Sequence, residues 1–376
     1  MMWMAAPFGL GAFFASAVVV RLFRPIAFRA GLVDKPDARK RHAAPTPAIG
    51  GLAIFVVVML LGLIVHPLTP RFLGLDIAAM VVVVAGVVDD HRRLGWGLRM
   101  AVQASAGLVL AMVAGLRVAD LGTILGVPVH LSEPLAVLLT VIATVGTINA
   151  MNMIDGVDGL AGMVSLATLL MLTGIAAQTG DDALTINFAV TAGAVAGFLV
   201  FNVRSPWQPR ASVFLGNAGA ELLGLLLVAA CLRLTQEAVH PLQPKVAPFL
   251  LAPALIDCLT VIVRRVRRGA SPFLAGRDHL HEILLEAGFS VSAVVALVSV
   301  STVLIGLLAL LGARLRLPDV TFTIAFLALL FIFGLVSRNR GPGVTTRAPG
   351  ATALDLPNSA TPGAGSCGVQ DDRAIG

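Results

Sequence analysis

Charge is what this chain has least of. Of its 376 residues only 13% are Asp, Glu, Lys or Arg, against 57% that are hydrophobic, and the mean hydropathy is +0.91. A water-soluble domain carries about 25% charged residues. The polar groups here are too few to cover a water-facing surface, which excludes a soluble globular enzyme and makes the bilayer the natural solvent. Cysteine is scarce as well. Cys231, Cys258 and Cys367 are scattered without metal or redox spacing, and two of them fall in apolar runs, where they read as small packing residues. Tyrosine is absent altogether, which by itself says nothing about substrate. Acidic residues are outnumbered 21 to 27, for a net charge of +6. In a soluble protein that excess would raise nucleic acid as a partner. Here the basic residues sit between apolar runs and report topology, so nucleic acid is set aside. No Lys or Arg precedes the first apolar run, Ala5 to Val20, whereas Arg21, Arg24 and Arg29 follow it. A signal peptide has the reverse order. The run therefore reads as an uncleaved first span with its N-terminus outside.

What is present is a series of long apolar runs. A span needs about 20 such residues. Eleven candidates lie near 3–23, 48–65, 72–88, 100–119, 134–150, 160–177, 185–201, 217–235, 246–263, 290–312 and 319–336. They are continuous and not alternating, so helices are the expected spanning form. The expected fold class is all-α: a polytopic integral membrane protein of about 11 transmembrane helices, N-terminus periplasmic and C-terminus cytoplasmic. With that orientation residues 24–47, 89–99, 151–159, 202–216 and 264–289 lie inside with the tail. Only Arg71, Arg117, Arg233, Lys245, Arg314 and Arg316 of the 27 basic residues then fall outside, as the positive-inside rule requires. The membrane domain is expected over 1–340. Residues 341–376, rich in Gly, Pro, Ala, Ser and Thr, are expected to be a disordered cytoplasmic tail.

Nine of the 21 acidic residues and four of the seven histidines fall in the inner loops. A transporter working at the midplane would place ionisable groups within its spans, and Asp257 is the only clear mid-to-late span carboxylate. The pattern instead fits a site at the membrane–cytosol boundary, where a water-soluble donor meets a lipid acceptor. The first loop, DKPDARKRHAAPTPAIGG, clusters Lys35, Arg39, Lys40, Arg41 and His42. This is either a phosphate clamp or topological anchoring with anionic lipid contact. The second places Asp89 beside Asp90 at the end of a valine run. The pair would suit Mg²⁺ shared with substrate phosphates, or would be a solvated loop start held by Arg92 and Arg93. The third, NAMNMIDGVDGLAG, repeats a spacing of three in Asn149 and Asn152 and again in Asp155 and Asp158. Four polar side chains between apolar runs cost energy unless they coordinate something. The fourth is FNVRSPWQPRASVFLGNAGAELLG. In the fifth, RRVRRGASPFLAGRDHLHEILLEAGFS, His279 and His281 stand two apart in a basic stretch suited to phosphate contact or proton transfer.

In this order and spacing the motifs resemble the polyprenyl-phosphate N-acetylhexosamine-1-phosphate transferases, the glycosyltransferase 4 superfamily of WecA-like and MraY-like enzymes. The first and fifth loops look nearest the WecA-like branch, which uses UDP-GlcNAc and undecaprenyl phosphate. The resemblance implies attack of the polyprenyl phosphate oxygen on the sugar-bearing phosphorus of a UDP-HexNAc, most simply UDP-GlcNAc. UMP is released and a lipid-linked surface glycan is started on the cytoplasmic face of the bacterial inner membrane. It implies Mg²⁺ as cofactor, with Mn²⁺ as a substitute, and leaves room for a homodimer. It assigns catalysis to Asp89, Asp90, His279 and His281. Substrate contacts fall to Lys40, Arg41, His42, Asn149, Asn152, Asp158, Asn202 and Arg277, and metal contacts to Asp90, Asp155 and Asn217. Three departures stand out. Asn217 replaces the aspartate of the usual Gly-Asp-x-Gly-Ser, Glu282 replaces a histidine, and Arg93 replaces an acidic residue. They motivate a competing reading, a member with altered or lost catalysis that binds lipid or nucleotide. They also motivate a compensation. Glu221, four residues after Asn217 and on the same helix face, would restore the missing charge, with Glu282 as its rival.

Overall fold

The computed structural model describes residues 2–34, 45–65, 69–124, 127–237, 241–271 and 278–337. Lys40, Arg41, His42, Arg277 and the 341–376 tail lie outside them.

Each apolar run becomes helix, because a chain without water must satisfy its backbone groups internally. In order these are α1 (Met2–Ala30), α2 (Gly50–Val65), α3 (Pro70–Arg92), α4 (Trp96–Met112), α5 (Glu133–Ile154), α6 (Leu160–Ala176), α7 (Asp182–Asn202) and α8 (Gly216–Thr235). They continue with the short α9 (Ala247–Leu250), then α10 (Ala252–Arg267), α11 (Leu280–Glu286), α12 (Val291–Arg314) and α13 (Asp319–Ser337). Seven of these are long and apolar enough to cross a membrane: α1, α3, α5, α7, α8, α12 and α13. An eighth crossing is added if residues Pro244–Leu250 and α10 count as one span broken by an 83° bend. Pro253, in the first turn of α10, has no N–H to carry a hydrogen bond back across that break. The helices α2, α4 and α6 have 16, 17 and 17 residues. At a rise of about 1.5 Å per residue they are about 24–26 Å long, short of a hydrocarbon core of about 30 Å.

Helix α8 is the axis of the bundle. It is buried all round and packs against α2, α3, α5 and α6. Helix α13 instead shows most of its apolar surface to the outside, as a helix facing lipid does. Small residues let helices approach where the hydrophobic effect gives no drive between them. A Cβ on Gly193 of α7 would sit 2.0 Å from the carbonyl oxygen of Gly9 in α1.

The described chain also contains two short antiparallel hairpins that an all-α expectation omits. Strands β1 (Val33–Asp34) and β2 (Thr46–Pro47) pair beside the N-terminus of α2. Strands β3 (Asp120–Ile124) and β4 (Val127–His130) pair at the opposite end of the bundle. Gln236 accepts from the N–H groups of Ala119 and Asp120 at 2.9 and 2.8 Å, and Asp319 accepts from Thr123 N–H at 2.7 Å, tying this hairpin to α8 and α13. The basic residues expected in outer loops gather at this same end. Arg71 pairs with Glu237 at 2.7 Å and Arg117 with Glu133 at 2.5 Å. Lys245 pairs with Asp319, and Arg233 bridges Glu237 and Asp181. The other end carries the loops that are rich in acidic residues and histidine.

Candidate functional site

At that second end lies an open cleft of ≈ 820 Å³. Its walls come from β1 and β2, the C-terminus of α3, the α5–α6 and α7–α8 connections, the first turn of α8, and Glu282 of α11.

Helix α3 delivers two adjacent carboxylates that take different roles. Asp89 is 4% exposed. Its Oδ1 accepts from Leu94 N–H at 2.5 Å. Its Oδ2 accepts from Asn217 Nδ2 at 2.9 Å and faces Arg99 Nη1 at 3.4 Å. Asp90 reaches the start of α8 and accepts from Asn217 N–H at 2.9 Å and Ala218 N–H at 3.3 Å. These are unsatisfied first-turn donors, and a carboxylate there also meets the positive end of the helix dipole. The fit depends on Gly216, which has φ 76°; a Cβ on it would lie 2.7 Å from Asp90 Oδ2.

The loop after α5 supplies the facing wall. Asp155 closes α5 and lines the cleft. Burial pushes its carboxyl up to about 7, and the charges of Asp90 and Asp158 add to the rise. Asp158 accepts from Arg204 Nε at 2.7 Å and from Ala211 N–H at 3.2 Å. Asn202 is buried. Its Oδ1 accepts from Gly159 N–H at 2.8 Å and its Nδ2 donates to the Val213 carbonyl at 2.9 Å, so its amide joins two loops of the wall. Arg93, Arg204 and Arg210 bring positive charge to the same cleft.

Asn149 and Asn152 do not line the cleft. Asn152 Nδ2 donates to Asn217 Oδ1 at 3.1 Å, which completes a chain from Asn152 through Asn217 to Asp89. Asn149 donates to Gln103 Oε1 at 2.6 Å, and Gln103 donates to Glu221 Oε1 at 3.0 Å. Glu221 thus sits one turn deeper than Asn217, buried and held by Gln103, and is not part of the cleft lining.

His279 and His281 are 8% and 3% exposed and stand behind the cleft wall, not in it. Their rings stack, with centroids 5.7 Å apart and planes within 1°. A Cβ on Gly156 would lie 1.9 Å from His281 Nε2. The Asp-Gly pair in the α5–α6 loop therefore has a steric cause. Gly156→Ala is expected to lower stability by about 2 kcal/mol through overpacking. Adding His281→Ala, which vacates the space, should recover most of that loss, as read by thermal unfolding in detergent. If Gly156→Ala alone unfolds at the wild-type temperature, the contact is not tight.

The site contains residues that the sequence motifs did not single out. Arg204 and Arg210 lay in the fourth inner segment, and two arginines six apart around Pro206 and Trp207 in an inner loop were the available signal. Arg99 closed the second inner loop and Gln103 lay in the apolar run after it, with nothing to mark either.

Among the described residues no three His, Cys, Asp or Glu side chains converge into a metal cage. Of the six carboxylates that line the cleft, Asp90 and Asp155 are close enough for the charge of Asp90 to raise Asp155. That pair fits Mg²⁺, which takes one or two carboxylates and completes its shell with water and substrate phosphates. Asn217 already spends its Nδ2 on Asp89, and its Oδ1 accepts from Asn152. A lone pair of Oδ1 is all it has left for a cation.

The motifs that build the cleft are shared with known proteins. The model of the family described as Glycosyl transferase family 4 matches residues 72–235, which carry both aspartate pairs, Asn217 and Glu221. An undecaprenyl-phosphate alpha-N-acetylglucosaminyl 1-phosphate transferase from Yersinia pestis is 31% identical over 323 residues, covering 86% of this chain and 88% of its own length. Proteins of the same name from Haemophilus influenzae and Escherichia coli K12 are 33% and 29% identical, over 86% and 83% of this chain and 90% and 85% of theirs. With likeness of that extent across the membrane helices and the cleft loops, this chain belongs to glycosyl transferase family 4, with the WecA-like transferases as its relatives.

Proposed function

We propose that this protein transfers GlcNAc-1-phosphate from UDP-GlcNAc to undecaprenyl phosphate. An oxygen of the lipid phosphate forms a bond to the sugar-bearing phosphorus. The bond from that phosphorus to the UMP oxygen breaks, and UMP leaves with the electron pair. The observation that carries the reading is the cleft itself. Paired carboxylates and three arginines meet at one end of a membrane bundle, where a soluble nucleotide sugar and a lipid phosphate can meet. The relatives' names support the same donor sugar and acceptor.

A lipid phosphate is largely anionic at neutral pH, since the second pKa of a phosphate monoester is near 6. The protein therefore need not generate a nucleophile; it must position two anions and offset their repulsion. Arg204, oriented by Asp158, together with Arg210 and Arg93, provides donors for phosphate oxygens, and guanidinium suits bidentate contact. Asp90 and Asp155 would hold Mg²⁺, which supplies charge neutralisation at the phosphates. Asp90 cannot drift from that task because two backbone N–H groups of α8 fix its oxygens.

The topology of this reading puts the cleft end in the cytoplasm of a bacterium, with the N-terminus periplasmic and the C-terminus cytoplasmic, as the basic-residue distribution favours. Eleven crossings require the bent pair to count as one span and the shorter helices α2, α4 and α6 to traverse a locally thinned bilayer.

The test uses purified protein, undecaprenyl phosphate and radiolabelled UDP-GlcNAc across a Mg²⁺ titration. Lipid-extractable label in the wild type, lost in Asp90→Asn, is the expected result. Label appearing only with another UDP-HexNAc would change the donor, and no label with any would overturn transfer in favour of a binding role. A pH series adds a second check. With Asp155 protonating near 7, protons compete with the cation for its carboxylate. The Mg²⁺ concentration for half-maximal activity should rise as pH falls from 8 to 6, and Asp155→Asn should weaken that dependence. A half-maximal Mg²⁺ concentration that is flat with pH in the wild type would remove Asp155 from the metal site.

A further inference from the structure

Like Glu221, Asp257 is a buried carboxylate outside the cleft lining. It lies in α10, 1% exposed. An unpaired carboxylate there would be costly, yet both of its oxygens are engaged with the same short stretch of chain. Oδ2 lies 2.8 Å from His279 Nδ1, and Oδ1 accepts from Leu280 N–H at 2.7 Å. His279 is the N-cap of α11 and Leu280 its first residue, so one carboxylate both orients the imidazole and satisfies an open helix donor. The same helix grips the preceding residue. Arg265 Nη2 donates to Asp278 Oδ1 at 2.7 Å, and Arg264 reaches the Asp278 side chain and carbonyl.

An ionised carboxylate only accepts hydrogen bonds. Contact with Asp257 therefore requires the proton of His279 to be on Nδ1. The ring so fixed stacks parallel on His281, and His281 Nε2 abuts Gly156 in the loop that carries Asp155 and Asp158. A continuous path of contacts runs from a carboxylate within the bundle to the wall of the cleft.

We propose that Asp257 is a positioning residue. It holds His279 in the Nδ1–H form and, through the stacked His281, sets the Asp155–Asp158 loop in its place at the cleft. Partners of this kind that orient a functional histidine are worth about 10- to 100-fold when removed. The kinetic consequence rests on the transferase reading; the tautomer does not.

Both can be read on the full chain in lipid nanodiscs. Histidine labelled with ¹³C and ¹⁵N gives seven side chains to resolve, with His279 assigned by its loss in His279→Gln. A proton on Nδ1 in the wild type, displaced in the isosteric Asp257→Asn, is expected. A bare Nδ1, or a His279 signal unmoved by Asp257→Asn, would overturn the proposal. In the transfer assay Asp257→Asn should lower kcat by about 10- to 100-fold, with KM for UDP-GlcNAc within about threefold and the unfolding temperature close to wild type. His279→Asn places an amide N–H where Nδ1–H was and should retain more activity than His279→Gln, whose amide mimics Nε2. Equal loss in both, or a fall in activity that only follows a fall in stability, would sink the positioning role. If the wild type transfers no label, the transferase reading fails, and the tautomer measurement still decides this inference.

Discussion

Asp90→Asn is expected to lower kcat about a thousandfold while leaving the protein folded. Removing one electrostatic group aimed at developing charge commonly costs about 10²- to 10³-fold. Asp90 does more than that, because its carboxylate is also half of the donor set offered to Mg²⁺. The structural cost is smaller. Asn217 N–H and Ala218 N–H go to different oxygens of Asp90, so Asn keeps one of the two bonds and loses the other, the cost of a weakened helix cap, about 1 kcal/mol. Activity and unfolding temperature measured on the same preparation separate the two. If Asp90→Asn keeps more than about a tenth of wild-type kcat, Asp90 is only the cap of α8 and the metal site lies elsewhere.

Asn217→Asp should produce the second large effect, and its sign depends on Mg²⁺. In the structure Asn217 Nδ2 donates to Asp89 Oδ2 at 2.9 Å. An aspartate there replaces a donor by an anionic oxygen and sets two carboxylates against each other, with Asp90 adjacent. Breaking a buried charged hydrogen bond in this way costs about 3 kcal/mol. Without Mg²⁺ the variant should therefore unfold well below the wild type. Saturating Mg²⁺ should recover most of the loss, because a cation is the partner that two apposed carboxylates require. The wild type, with its neutral amide, should respond less. Thermal unfolding with and without Mg²⁺ decides it. Equal stability of the two proteins in metal-free buffer would mean that the amide is not holding Asp89. A destabilisation that Mg²⁺ does not relieve would mean that no cation binds beside position 217.

The Asn217 amide also bears on the idea that Glu221 makes up its missing charge. Glu221 is on the same face of α8 but one turn deeper, and its carboxylate is hydrogen-bonded to Gln103 behind the cleft. Any contribution to the metal must pass through the field it places on Asp89 and Asp90, not through direct contact.

Much of the architecture was legible in the chain before any tertiary structure was considered. Every long apolar run became helix, since hydrocarbon leaves the backbone no other partner for its N–H and C=O groups. The acidic loops fall at one end of the bundle and the six isolated basic residues at the other, as their alternation along the chain required. The motif aspartates Asp89, Asp90, Asp155 and Asp158 line one cleft, because each stands at the end of a helix on that side. What could not be read were the partners. Asp89 and Asn217 are 128 residues apart, Gln103 and Glu221 118, and no periodicity reports a contact at that range. The two histidines looked like cleft residues by composition, yet α10 draws them behind the wall through Asp257. The break before α10 was invisible for a related reason, since an apolar segment with proline in it reads as one run whether it is straight or bent by 83°.

The sequence alone thus determined that this is a helical membrane protein with its chemistry at one end, because hydrophobicity and charge act locally and are written residue by residue. Only the tertiary structure decided which carboxylate caps α8 and which is buried, that Asn217 serves Asp89, and that Asp257 holds the histidines. Those choices are hydrogen bonds between distant segments, and they exist only once helix packing has brought the segments together.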